Sequence, residues 1–243
     1  MSELRLRSAL IDFGILCLTV IQINYTLGAE RLYLGNGEGT MARNKILQED
    51  NSYTFRSYFE LPYEADDILA ELDYSLIRAE LSLPKTSRKL ERLPELKQKI
   101  RAFLPFVSLS NETARRETLV SPIMLEVVIY AQCQMRIEYP VNVNHWLKGT
   151  LDYLLRSTRD LLVIEAKKDD LTRGFTQLAV ELIALSHLEE QNVLYGAVTM
   201  GDVWRFGKLE RDRQQITQDL NLFKVPEDLE SLVSVLLGIL EGN

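Results

Sequence analysis

The chain has 243 residues, 46% hydrophobic and 26% charged, which suits one sizeable core and shows no low-complexity tract. A formal net charge of −7 argues against a broadly basic nucleic-acid coat, while leaving room for a local basic patch. Two histidines (His145, His187) offer no zinc spacing, and two cysteines (Cys17, Cys133) in apolar company read as thiols of a reducing compartment.

Residues 1–50 stand apart as an N-terminal extension. Phe13 to Ala29 carries no charge and follows Arg5 and Arg7, but Asp12 interrupts its start and Gln22, Asn24 and Thr26 dilute its end. It falls short of the roughly 20 apolar residues a bilayer span needs, so no membrane partner is expected. The Gly-rich LGNGEGT then leads to Met41, which is either the biological start or the end of a loosely attached leader.

The remaining 51–243 reads as a single domain. Tyr53 to Glu60 (YTFRSYFE) alternates like a strand, and Pro62 to Leu83 carries a helical stripe of Ile68, Leu69, Leu72, Leu76 and Ile77. Lys85 to Arg101 is the densest basic stretch, either a solvated helix face or a set of phosphate contacts. Arg115 to Ala131 is predicted helical, with Glu126 inside its apolar run, where a lone carboxylate needs a partner. Gln134 to Tyr139, Leu147 to Leu155 and Leu161 to Ala166 are predicted strands. Leu171 to Leu185 is a strongly apolar helix whose polar members, Gln177 and Glu181, lie one turn apart. Val193 to Met200 and Val203 to Leu209 form a strand pair, with Trp204 and Phe206 as packing residues, and a helix opened by Pro226 closes the chain.

The chemistry gathers at LLVIEAKK, residues 161–168. Four apolar residues make a strand buried on both faces, and the alternation puts Glu165 and Lys167 on one side with Ala166 on the other. A hairpin through 156–160 brings Asp152 beside Glu165. Two carboxylates and a lysine at the edge of an apolar sheet suit a hard divalent ion, Mg2+ or Mn2+, with the lysine placed to orient water or steady a phosphate. Alone, Glu-x-Lys at a strand end is most often just a solvated pair.

The order helix, three strands, helix, strand over about 115–210, with Asp152 on the second strand and Glu165-Ala166-Lys167 ending the third, resembles the PD-(D/E)XK nuclease superfamily. The stretch GAVTMGDVWRFGKL is similar to the strand pair after this core in the nuclease domain of type I restriction subunits. The resemblance implies an α/β, restriction-endonuclease-like core with extra N-terminal helices and a C-terminal helix. It implies Asp152 and Glu165 as metal ligands, Glu126 from the preceding helix as a third, Lys167 as the catalytic lysine and Gln177 as a supporting residue. It further implies a cytoplasmic, metal-dependent nuclease acting on nucleic acid, DNA above RNA, in some relatives as a homodimer. Leu151 replaces the eponymous proline, and Glu181 stands where RecB-like members carry tyrosine. The rival reading is a non-catalytic scaffold or partner-binding protein of the same fold.

Overall fold

A computed structural model describes residues 45–242. The expectations for Cys17, the uncharged run from Phe13 and the start at Met41 fall outside the described residues. Among the described residues no helix is long and apolar enough to cross a membrane.

The described residues form a mixed α/β fold built on one eight-stranded sheet. In chain order its elements are α1 (Phe55–Glu60), α2 (Ala65–Ala70), β1 (Ser75–Ala79), α3 (Leu93–Phe103) and α4 (Glu112–Arg115), which runs through a π-helical turn (Arg116–Val120) into α5 (Ser121–Ala131). Then follow β2 (Gln134–Asn142), β3 (Lys148–Arg156), β4 (Leu161–Ala166), α6 (Leu171–Ser186), β5 (Val193–Thr199), β6 (Val203–Glu210), β7 (Gln215–Asp219), β8 (Phe223–Lys224) and α7 (Leu229–Leu240). The strand order is β1-β7-β6-β5-β4-β3-β2, with β8 paired to β6. Strands β2, β3 and β4 form an antiparallel meander, and β4 pairs parallel with β5 through the crossover helix α6.

Alternation along β4 splits the core into two layers. Leu162 and Ile164 join the layer of α3, α5 and α7, while Leu161 and Val163 join that of α1, α2 and α6. Glu165 continues the second series, so its carboxylate is directed toward α6. Helix α6 is buried from Gly174 to Ser186 because the sheet covers one side and Phe55, Tyr58, Ile68 and Leu69 cover the other. A helix that is apolar all round needs such a double cover.

The expected strand over Tyr53–Glu60 is instead helix α1, capped by a reciprocal Thr54–Ser57 box. Phe55 and Tyr58, three residues apart, share a face in a helix but not in a strand, and their joint burial in the layer of α6 selects the helical period. The helix expected over Pro62–Leu83 stops at Ala70, since Asp73 adopts a positive φ and the chain turns into β1 beside β7. Strands β7 and β8 carry little apolar alternation and were not expected.

The boundary at residue 50 also shifts. Leu47 is fully buried in the second core layer, so the chain from Lys45 belongs to this unit. Leu47→Ala is expected to lower the unfolding free energy by about 2–4 kcal/mol in urea titration; a change within about 0.5 kcal/mol would detach this segment from the fold.

Candidate active site

Four sequence-predicted residues meet at the floor of one cleft of about 700 Å3, which Asp152, Glu165, Lys167 and Gln177 all line. The register Tyr153↔Ile164 brings Asp152 opposite Glu165 at the next step of the β3–β4 ladder. There the Asp152 carboxylate enters the ladder itself, its Oδ2 accepting from the Ala166 amide at 2.8 Å. This bond explains how a carboxylate only 9% exposed keeps a defined orientation.

Glu165 is 1% exposed and accepts through Oε1 from Lys167 Nζ and from Gln177 Nε2, the latter at 2.6 Å. The Gln177 amide also donates to Glu181 Oε1 at 2.8 Å, so one side chain ties two buried carboxylates together. Glu165 Oε2, Gln177 Oε1 and Glu181 Oε2 are buried without a hydrogen-bond partner among the described residues. Gly174 lets α6 approach closely enough for this: a Cβ there would lie 2.9 Å from Lys167 Cγ and 2.8 Å from Val198 Cγ2.

The electrostatics follow from burial. Desolvation, then the charge of Asp152, pushes the Glu165 carboxyl up to about 7 despite Lys167. Glu181 rises well above the carboxylate range through its own burial and the charge of Glu165. Burial raises Asp152 as well, opposed by the Ala166 amide and Arg116. For Lys167 burial works against the charge, but the attraction of Glu165 outweighs it and the ammonium is held above its usual range.

Two expectations do not meet the cleft. Glu126, expected as a third metal ligand, is held by Arg92 through a bidentate pair of 2.7 and 3.0 Å and is not among the cleft residues. The apolar run around it needed a partner for a carboxylate, and Arg92 of the basic stretch supplies one. The rest of that stretch also stays away from the cleft, with Arg88 bonded to Glu241, Lys97 to the Glu227 carbonyl and Lys99 to Glu95.

The carboxylate that the preceding helix brings to the cleft is Glu112, just after the Asn111 cap of α4. Arg116, Glu138 and Phe59 join it there without having been anticipated. Arg116 Nη1 donates to Glu138 Oε1 at 2.7 Å and to Asp152 Oδ1 at 3.3 Å. Phe59 sets its ring 5.3 Å from Lys167 Nζ, a cation–π contact. An arginine doublet entering an apolar helix was the one legible signal for Arg116; Phe59 was hidden by the mistaken period of α1.

Glu138 has a φ of 54°, in the left-handed region that costs a non-glycine residue about 1–3 kcal/mol. Beside it the face alternation of β3 slips: Leu151 and Leu154 reach one core layer, Tyr153 and Leu155 the other. The break falls at Asp152.

Among the described residues no group of three or more His, Cys, Asp or Glu side chains is arranged to hold a metal ion. Asp152 with Glu165 is a two-carboxylate oxygen set, and the unpartnered Glu165 Oε2 supplies a donor atom without a protein partner. Such a set fits a hard ion that keeps most of its waters.

The raised Glu165 and Glu181 carboxyls fix a sign. The folded state holds protons that the unfolded chain releases, so their stabilisation is complete below the unfolded value near 4.5 and fades as pH rises through about 7. Without divalent ions, the melting temperature should fall between about pH 5 and pH 8, and Glu181→Gln or Glu165→Gln should each flatten that fall by roughly 3 °C or more in scanning calorimetry. Parallel profiles would mean that neither carboxyl is perturbed.

A comparison with protein-family models finds none that matches this chain, and a comparison with curated protein sequences finds no similar one.

Proposed function

We propose that the protein is a metal-dependent nuclease that hydrolyses phosphodiester bonds of nucleic acid, with DNA the favoured polymer, on a restriction-endonuclease-like core. The observation that carries the reading is the convergence of Asp152, Glu165 and Lys167 on one cleft floor, with Gln177 bonded to Glu165 from the crossover helix. A solvated ion pair at a strand end would not be so deeply buried.

Asp152 and Glu165 would hold Mg2+ or Mn2+, with the Ala166 carbonyl beside them. When bound, the ion supplies Lewis acidity and lowers the pKa of a coordinated water. The chain's own groups do the rest. The Ala166 amide holds Asp152 in place, and Gln177 holds Glu165 against rotation. The Lys167 ammonium, charged and at the cleft floor, orients the attacking water or offsets charge developing on a phosphoryl oxygen. Arg116, Lys167 and Lys168 line the cleft and provide cations for a phosphate backbone within an otherwise acidic chain.

A second reading, a scaffold that keeps the fold without the chemistry, is favoured by one observation: Arg116 and Lys167 already neutralise both carboxylates. Cleavage assays separate the two. Purified protein with Mn2+ or Mg2+ should cleave a mixture of linear, single-stranded and branched DNA, and chelation should stop it. Asp152→Ala and Lys167→Ala should each slow cleavage by about 100-fold or more with folding retained. Glu126→Ala should leave the rate unchanged, its carboxylate being engaged elsewhere. Metal-dependent cleavage surviving Asp152→Ala would sink the assignment, and absence of both cleavage and metal binding would select the scaffold.

A further inference from the structure

Two backbone irregularities and one anchor converge on Arg116. The residue opens the π-helical turn, where the Ser121 amide reaches back to the Arg116 carbonyl. Single π turns inside helices are rare and fall frequently at functional sites. Its neighbour Arg115 is anchored on the other side, to the Met200 carbonyl at 2.8 Å and Asp202 at 2.9 Å, which pins the turn and leaves Arg116 directed into the cleft. The carboxylate that holds it most closely, Glu138, occupies the left-handed backbone region. Backbone strain of this kind is retained where surrounding structure has a use for it.

The bonding of Arg116 is uneven. One nitrogen, Nη1, serves both carboxylates, close to Glu138 and at 3.3 Å from Asp152. The guanidinium lies 5.3 Å from the Tyr153 ring centroid, and its Nε is buried without a partner. Asp152 in turn has one firm bond, from the Ala166 amide to Oδ2; Oδ1 has only the long contact to Arg116. A single positive charge thus sits against the oxygen that a cation would need, hinged on a second carboxylate that lies outside the β4 floor.

We infer that Arg116 is a displaceable counter-ion: it occupies Asp152 Oδ1 in the resting site, yields it to a divalent cation, and then pairs with a substrate phosphate while Glu138 keeps its bond to Nη1. The inference rests on the nuclease reading and adds an order of binding. Before the cation arrives, Arg116 and Lys167 are both engaged with Asp152 and Glu165, and the cleft offers a polyanion little uncompensated positive charge. Once a cation neutralises the two carboxylates, both side chains are available to phosphate. Nucleic acid therefore binds after the metal, through cations the metal releases. Planar guanidinium suits the phosphate role because it can give two parallel hydrogen bonds.

The test uses the full chain and two binding readouts in addition to cleavage. Mn2+ alone is titrated by calorimetry, and a fluorescent single-stranded DNA 20-mer is titrated by anisotropy with and without Ca2+, which supports binding in place of the catalytic ion. Arg116→Met should bind Mn2+ at least as tightly as the wild type, by up to about 10-fold, because a competing charge has gone. The same variant should bind the 20-mer in Ca2+ about 10-fold more weakly, with the Ca2+-dependent gain reduced, and Arg116→Lys should restore part of that affinity. Glu138→Gln should weaken Mn2+ binding by freeing Arg116 to pair fully with Asp152, and the effect should vanish in Arg116→Met/Glu138→Gln. If either Arg116 variant fails to fold, the Glu138→Gln titration still decides: unaltered Mn2+ affinity there overturns the inference. Weaker Mn2+ binding by folded Arg116→Met, or unchanged 20-mer affinity, also overturns it. A wild type that binds no Mn2+ and cleaves nothing removes the nuclease reading and this inference together. A wild type that binds Mn2+, beside an Arg116→Met variant that loses Mn2+ affinity, removes this inference alone.

Discussion

Glu165 is a carboxylate placed almost wholly out of water, and the surrounding structure is arranged around making that tolerable. An ion buried without compensation costs several kcal/mol even after relaxation. Here the compensation comes from two side chains, Lys167 from the chain just past β4 and Gln177 from α6, which also bonds Glu181 one turn further along. Desolvation still wins in part, since burial holds the carboxyl well above its usual range.

The fold supports this by covering α6 on both sides. The sheet supplies one cover and the short helices α1 and α2 the other, with Phe55, Tyr58, Ile68 and Leu69 as the contacts. Remove the outer cover and water would come closer to Glu165 and Glu181, so the upward shifts that burial gives their carboxyls would relax. The N-terminal helices also give the cleft Thr54, Arg56 and Phe59, so they shape the site as well as the core. Gly149, with a φ of 149°, lies where a Cβ would come within 2.7 Å of the Phe55 ring, and so it seats α1 directly against β3.

On the opposite side of the cleft the compensation is looser. Asp152 relies on one backbone amide and a shared arginine, and the β2–β3 pair is irregular just there, at Glu138. The contrast between a firmly held Glu165 and a loosely held Asp152 concentrates any rearrangement on the Arg116 side.

What the sequence determined by itself was the central meander and the side chains that meet on it. Four apolar residues running into Glu-Ala-Lys specify both the depth of β4 and the shared side of Glu165 and Lys167, because strand alternation is a local property. The hairpin distance to Asp152 and the helical offset of Gln177 are likewise short-range, and all four residues reach one cleft. Tertiary structure alone decided the rest. Whether Tyr53–Glu60 is strand or helix depends on what its aromatics meet, and α6 lies more than a hundred residues away. Glu126 sits on the anticipated helix, yet Arg92 claims it, since an ion pair between distant segments leaves no periodic trace. Glu112, Arg116 and Glu138 enter the cleft through a π-helical turn and a left-handed residue. Those are backbone choices set by packing against the β5–β6 turn and the β3 ladder, and no local pattern of residues encodes them.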